Sequence, residues 1–537
     1  MHINKITFFF IIIIFSLGIY CSAIVGISWD EPSSNAYSLA KINFLKTFGE
    51  NKEYLKYFET QNPGFYTTIL AFVSNLFPKF LVYEVRHLIN LLISFFTIVG
   101  IYLLVKENFD KRLALLTILF VLINPFFFGL MSITVRDIPV CFAYIWTVYF
   151  FFKYIQNFFV KRIKYSILLG LAIGFGLGAR VGFVVNLIPL FLILIFFLIL
   201  NNKRIKLLSE TKNIFLDLIT ITFFSFIILF SFWVNAYDNP IETLITTITQ
   251  TLSLSGPEIR GSSIGPTMDI INDNIYETKN TPRTYLLSFF FTRFPVFLIF
   301  LFLVSLIVII KKKDFFLKKF KNFSYKINSN FIIFFCPIFL ITFLSVNLYD
   351  GIRLIIFIIP FFSLFVSIAF YYLIETYRNS KISKVILIIS FLIFIPFLER
   401  FVRLTPYQYD FANYFYVPFK NSENSFHHDY WAISYKELIK KIKNDENFKN
   451  KKFSVSVCGG DIWQAVIEFN KDKEIKNNIS YYHSSFNYKA DYIIMINRLG
   501  FNKEFLNVKC FDRFKGKNIH SVERLGVIYS VLRKIKK

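Results

Sequence analysis

Asp30 and Glu31, in Ile27-Ser28-Trp29-Asp30-Glu31-Pro32, stand where the chain leaves its first long apolar run. Packing gives no reason for an acidic pair there, whereas a carboxylate at that point can act as a general base on an incoming hydroxyl or help hold a divalent cation. As chain neighbours they point about 100° apart on a helix and to opposite faces of an extended segment, so a division of labour is expected. Asp137, in Thr134-Val135-Arg136-Asp137-Ile138-Pro139, is the second candidate carboxylate. Its setting also reads as a plain helix start, with Asp at the positive end of the dipole and Pro in the first turn. Arg86, Arg180, Arg283 and Arg353 are candidate partners for a phosphate. Arg180 ends the run from Gly170 through Gly174, Gly176 and Gly178, whose spacing suits close helix packing better than a phosphate loop, because no strand precedes it. His87, His427, His428 and His483 lack zinc spacing, and His427-His428-Asp429 reads as a solvated loop.

The elements that position these residues are membrane spans. Over 537 residues the chain is 55% hydrophobic with 72 Phe, which excludes an ordinary soluble protein. The net charge of +25 sits in short clusters between apolar runs, the pattern of topology signals and not of a nucleic-acid surface. The run Ile6 to Gly26 lacks a cleavage site and reads as a retained first helix. With the clusters Lys106–Arg112, Lys153–Lys164, Lys203–Lys212, Lys311–Lys326 and Arg378–Lys384 inside, spans fall at about 6–27, 85–105, 113–130, 138–154, 165–180, 182–200, 213–233, 285–310, 329–346, 352–373 and 383–399. This expectation of about eleven spans requires that the apolar stretch Pro63–Val82 lie at the outer face without crossing. Asp30, Glu31, Arg86, Asp137, Arg180, Asp350 and Arg353 then converge on that face. Ionised groups beside lipid cost several kcal/mol and tend to pair or to face a functional cavity.

Residues 1–400 therefore read as a transmembrane domain and 401–537 as an extracytoplasmic α/β domain, where apolar runs shorten and charges intersperse. Phe453–Cys458, Asp491–Ile496 and Gly526–Val531 read as strands, and Trp431–Lys443 and Asp461–Phe469 as helices. Of five cysteines only Cys458 and Cys510 are placed to pair, and free thiols fit equally well. Tyr430, Trp431, Trp463, Tyr481 and Tyr482 suit either sugar stacking or core packing.

Short motifs in a fixed order carry a resemblance. Trp29-Asp30-Glu31, Asn62-Pro63-Gly64-Phe65, Val85-Arg86-His87-Leu88-Ile89-Asn90, Asn124-Pro125-Phe126-Phe127-Phe128-Gly129, Arg136-Asp137-Ile138-Pro139 and Ala179-Arg180-Val181-Gly182 together resemble the membrane glycosyltransferases of family 39. That family holds protein O-mannosyltransferases and lipid A aminoarabinose transferases, enzymes of GT-C fold. Thr281–Tyr285, Tyr349–Arg353, Pro406–Tyr409 and Asp429–Tyr435 are similar to a bacterial branch of it. The chain departs from the family at Asn62-Pro63-Gly64, where His or Lys followed by two prolines is more typical. The resemblance implies a polytopic α-helical GT-C protein that takes a sugar from a polyprenyl-phosphate donor. It implies that Asp30, with Glu31 beside it, is the catalytic base. It implies that Asp137 organises substrate or, with Asp30, a divalent cation such as Mg or Mn, and that Arg86, Arg180 and Arg353 meet the donor phosphate. No organic cofactor is implied. The acceptor stays open among glycan, lipid and protein, within a setting of membrane lipids at the periplasmic side of a bacterial inner membrane.

Other classes leave different marks. A flippase or transporter of lipid-linked glycans calls for charges in mid-span, yet the span interiors are nearly charge-free and no internal repeat is visible. A glycan polymerase or ligase shares the donor and stays open. An oligosaccharyltransferase would carry Trp-Trp-Asp, whereas this chain has Asp429-Tyr430-Trp431.

Overall fold

The computed structural model describes residues 2–57, 62–158, 162–200, 207–252, 268–271, 274–277, 280–343, 348, 350–377, 392, 394–413, 426–449, 451–482, 488–499 and 508–535. The helices that matter here are α1 (His2–Ile24), α2 (Asp30–Lys46), α3 (Phe65–Ser74), α4 (Val82–Asn108), α5 (Lys111–Leu122), α6 (Pro125–Leu130), α7 (Asp137–Gln156), α8 (Arg162–Ala179), α9 (Ile188–Leu200) and α10 (Leu207–Phe230). After a two-stranded ribbon, β1 (Met268–Ile271) and β2 (Asn274–Glu277), come α11 (Tyr285–Arg293), α12 (Val296–Lys311), α13 (Phe323–Phe343) and α14 (Ile359–Tyr377).

Among the described residues eight helices are long and apolar enough to cross a membrane, or nine if α11 and α12 count as one span bent by 116°. The difference from eleven has local causes. The expected span 113–130 is divided into α5 and α6 at Asn124, whose side chain accepts from the amides of Phe126 and Phe127 and so starts a new helix at Pro125. The span 285–310 turns sharply at Phe294-Pro295. The expected span 383–399 lies mostly outside the described residues, as do His483, the cluster Arg378–Lys384 and Lys203 to Lys206.

Pro63–Val82 behaves as its place in the topology requires. Its helix α3 has 10 residues and is about 15 Å long, half the distance needed to cross. The preceding helix α2 was not anticipated. It buries Glu31, Ser34, Ser38 and Lys41, a polar face turned inward, because α2 packs on α3 over a buried arginine contributed by α4.

Glycines let α8 lie close against α10. A Cβ at Gly170 would come 2.6 Å from the carbonyl oxygen of Ile221 and one at Gly174 would come 2.7 Å from that of Ser225. Ser225 Oγ uses the proximity to donate to the Gly170 carbonyl at 2.9 Å. Arg180 thus stands at the end of a helix locked against α10.

The C-terminal part holds α15 (Tyr435–Lys443), β3 (Phe453–Cys458), α16 (Ile462–Phe469), β4 (Ile479–Tyr481), β5 (Tyr492–Ile496), β6 (Gly516–Arg524) and β7 (Val527–Ile535). They form a five-stranded sheet in the order β4-β3-β5-β7-β6, parallel across β4, β3 and β5 and antiparallel from β5 onward. Cys458 and Cys510 are joined by a disulfide at the end of β3. Helices α15 and α16 and the loop before them grip the N-terminal segment. Lys436 Nζ donates to the carbonyls of Ala23 and Val25, Gln464 Nε2 donates to that of Ile27 at 2.7 Å, and the Trp29 amide donates to the Trp431 carbonyl at 3.0 Å.

Candidate active site

Two polar clusters grow from the first turn of α2. Asp30 faces the first. Its Oδ2 lies 4.0 Å from Arg353 Nη1, and the same nitrogen lies 3.8 Å from Asp137 Oδ2. Asp137, the first residue of α7, also meets Arg180 Nη2 at 3.1 Å through Oδ1. Arg353 turns its other nitrogen to Asp350, 3.2 Å away, and stacks over the Trp431 ring at 4.6 Å. Asp350 has a left-handed backbone, φ 53°, and its amide donates to Asp269. Exposure grades this cluster: Asp30 is 32% exposed and Arg180 28%, against 3% for Asp137 and 7% for Arg353. The buried pair forms a scaffold, and the accessible pair faces outward.

Glu31 faces the second cluster, which is sealed. Ser28 donates to Glu31 Oε2 from its amide at 2.8 Å and its hydroxyl at 3.1 Å, closing the first turn of α2. His87 Nε2 lies 3.1 Å from the same oxygen, and Arg86 Nε lies 3.7 Å from Oε1 while Nη1 donates to Asn35. Burial pushes the Glu31 carboxyl up, but His87, Arg86 and Ser28 outweigh it and hold the group below the ordinary carboxylate range. Arg86 has no exposed surface. The phosphate contact expected of Arg86 has no open route here, because its charge is enclosed with Glu31. Arg283 is exposed in the turn before α11, and no contact among the described residues joins it to either cluster.

A third group lies where the sheet meets the helices. His427, His428 and Asp429 are buried, which corrects the expectation of a solvated loop. His428 Nδ1 lies 2.6 Å from Asp410 Oδ2, and Asp410 also takes Arg293 at 3.2 Å. Asp429 accepts from Tyr409 Oη and from the amides of Ile433 and Ser434. Burial nevertheless raises Asp429 to about 7, and burial with the nearby Asp350 raises Asp269 to about 7. Burial and the Arg498 charge hold His427 well below its usual value. These groups fasten the sheet to the helices.

The residues expected to hold Mg or Mn, Asp30 and Asp137, do not fit a bridging ion, since a guanidinium already sits between them. Among the described residues no three His, Cys, Asp or Glu side chains gather within reach of one metal. Sequence reasoning missed Arg498, which binds Asp350 at 3.1 Å from the end of β5. A charged residue two positions past a buried strand was its visible signal.

The chain is similar to known membrane enzymes. Residues 62–231 match the family described as dolichyl-phosphate-mannose-protein mannosyltransferase, in agreement with the resemblance carried by the motifs. The apo structure of ArnT from Cupriavidus metallidurans aligns over 99% of this chain and 98% of its own, at 10% identity and a TM-score of 0.50. The same protein bound to undecaprenyl phosphate gives 11% identity, 98% of both chains and a TM-score of 0.49. The apo oligosaccharyltransferase of Archaeoglobus fulgidus gives 12% identity over 91% of this chain and 69% of that one, with a TM-score of 0.48. No curated protein sequence matches. The fold is that of the polytopic GT-C membrane proteins, with a small sheet at the C-terminal end.

Proposed function

We propose that this protein is a membrane glycosyltransferase that moves a sugar from a polyprenyl-phosphate donor to an acceptor hydroxyl. The observation that carries the reading is Asp30: an accessible carboxylate, joined through one guanidinium to a buried second carboxylate that also holds Arg180. The match of residues 62–231 to the mannosyltransferase family supports the same reaction class.

In the proposed chemistry, Asp30 accepts the proton of the acceptor hydroxyl, and that oxygen attacks the anomeric carbon from the side opposite the lipid phosphate. The bond from anomeric carbon to phosphate oxygen breaks, its electron pair leaves with the phosphate, and the sugar is inverted. Arg180 faces the developing charge, while the buried Arg353 joins Asp30 to Asp137; Asp137 holds both guanidiniums in place before the reaction. No step requires a metal. Glu31 and Arg86 serve a different purpose, fixing the first turn of α2 so that Asp30 points outward.

The reaction is assigned to the periplasmic side of a bacterial inner membrane. The Cys458–Cys510 bond supports that side, since disulfides persist in oxidising compartments, and so does the expected cytoplasmic placement of the basic clusters. The test is mass spectrometry of lipids that co-purify with wild type and with Asp30→Asn. Enrichment of a polyprenyl-phosphate monosaccharide in the variant is expected. A long lipid-linked glycan in both forms, unchanged by the substitution, would replace a monosaccharide transferase with a ligase or flippase.

A further inference from the structure

We infer that Arg498, in the C-terminal sheet, is a positioning residue for the chemistry assigned to Asp30, acting through Asp350 and Arg353; the inference rests on that assignment. Strands β3 and β5 are parallel neighbours, while the chain leaves β3 through α16 to β4 on the other side. The carboxyl ends of β3 and β5 therefore flank a topological switch point, where open α/β sheets take ligands. At the end of β3 the Tyr435 ring comes close to the backbone. A Cβ on Gly460, just after β3, would fall 2.3 Å from Tyr435 Oη. What the switch point presents to the helices is Arg498, just after β5.

Arg498 is 6% exposed, and both its terminal nitrogens have partners. Nη1 donates to the Tyr430 carbonyl at 2.7 Å, and Nη2 meets Asp350 Oδ1 at 3.1 Å. Its guanidinium lies 5.6 Å from the ring of Trp29, the residue before Asp30. Asp350 is thus shared between two guanidiniums, Arg498 on Oδ1 and Arg353 on Oδ2. Arg353 in turn divides its charge among Asp350, Asp30 and Asp137. Removing Arg498 leaves Asp350 with a single cationic partner, and Arg353 is drawn toward it and away from Asp30 and Asp137. Two residues beside that sheet, Gln464 on α16 and Trp431 before α15, hold the other side of the site through residues 27 and 29.

The experiment is native mass spectrometry of the full chain in detergent, titrated with undecaprenyl phosphate as the probe and paired with thermal melting. Arg498→Gln should weaken lipid binding about tenfold, equivalent to about 1.4 kcal/mol, and Arg498→Lys should recover most of it. If the effect passes through Asp350, Arg498→Gln combined with Asp350→Asn binds no more weakly than Asp350→Asn alone. Losses that add in the double variant, or an Arg498→Gln protein that binds as wild type does, would overturn the inference while leaving the role of Asp30 intact. Wild type that binds no undecaprenyl phosphate would remove the proposed function and the inference together. Should Arg498→Gln fail to fold, the cycle is run with Arg498→Met, which keeps the length of the side chain without its charge, and the same criterion applies.

Discussion

Asp30 and Glu31 are bonded neighbours with opposite surroundings. Asp30 looks into an open cluster of arginines at the helix mouths, one-third exposed and 4.0 Å from its nearest cation. Glu31 is enclosed by Ser28, Arg86 and His87 with no exposed surface. Both clusters combine carboxylates with guanidiniums, so composition does not separate them. What separates them is reach: a group that must touch a substrate needs an open side, whereas a group that must hold a helix needs every side filled.

The difference can be broken most sharply at Asp30. Asp30→Asn should lower turnover by about 10²–10⁴-fold, the usual worth of a general base, with little change in melting temperature. A comparable loss of melting temperature would make Asp30 a structural residue like its neighbour. Glu31→Gln should act in the reverse sense. It leaves Arg86 enclosed without its counter-charge, a situation that costs about 3–5 kcal/mol, so thermal melting should drop before any kinetic effect is measurable. A stable Glu31→Gln protein without activity would instead move Glu31 into the chemistry.

Arg180→Ala and Arg353→Ala sharpen the comparison from the cationic side. Arg180 is the more exposed, so its loss should weaken binding of undecaprenyl phosphate by about tenfold with the fold kept, while loss of Arg353 should also disturb Asp137 and lower stability. Equal effects in both assays would mean that the grading by exposure has no functional meaning. Chelation gives the smallest effect. Because a guanidinium sits between Asp30 and Asp137, excess EDTA should leave the rate unchanged, and a lost rate restored by Mg or Mn would contradict this placement.

The interface with the sheet has its own pH dependence. Asp269 and Asp429 stand at about 7 in the folded protein against about 4 when unfolded, so the folded state holds their protons more tightly. Their contribution to stability is full below about pH 4 and is lost as pH rises to about 7. Asp429→Asn should flatten that part of the decline in melting temperature between about pH 4 and pH 7; an unchanged slope would remove Asp429 as its source.

Much of this was legible in the sequence, and the failures have physical causes. Asp30, Asp137, Arg180 and Arg353 could be read because charges at the ends of apolar runs stand out and the positive-inside rule places them on one face. Strand β3 and the helix capped by Asp461 were legible from their apolar patterns. Strand β6, Gly-Lys-Asn-Ile-His-Ser-Val-Glu-Arg, was not, since an edge strand needs little apolar alternation. Helix α2 was missed because its inward face is Glu31, Ser34, Ser38 and Lys41, which reads as a solvated loop until the arginine that faces it is known. Arg498 was missed for a related reason: its partner Asp350 lies 148 residues earlier in the chain.

The contact between Gln464 and Ile27 joins residues 437 positions apart. Ribosomes therefore deliver Gln464 long after the first helix has been made, and the contact to Ile27 closes only when every span has been synthesised. Domains emerge and fold in order from the N-terminus during synthesis, so the turn before Asp30 gains its last partners at the end of synthesis. A chain cut short before Trp431 would keep the contacts of Ser28, Glu31 and Arg86 at the start of α2 and lack those made to Ile27 and Trp29.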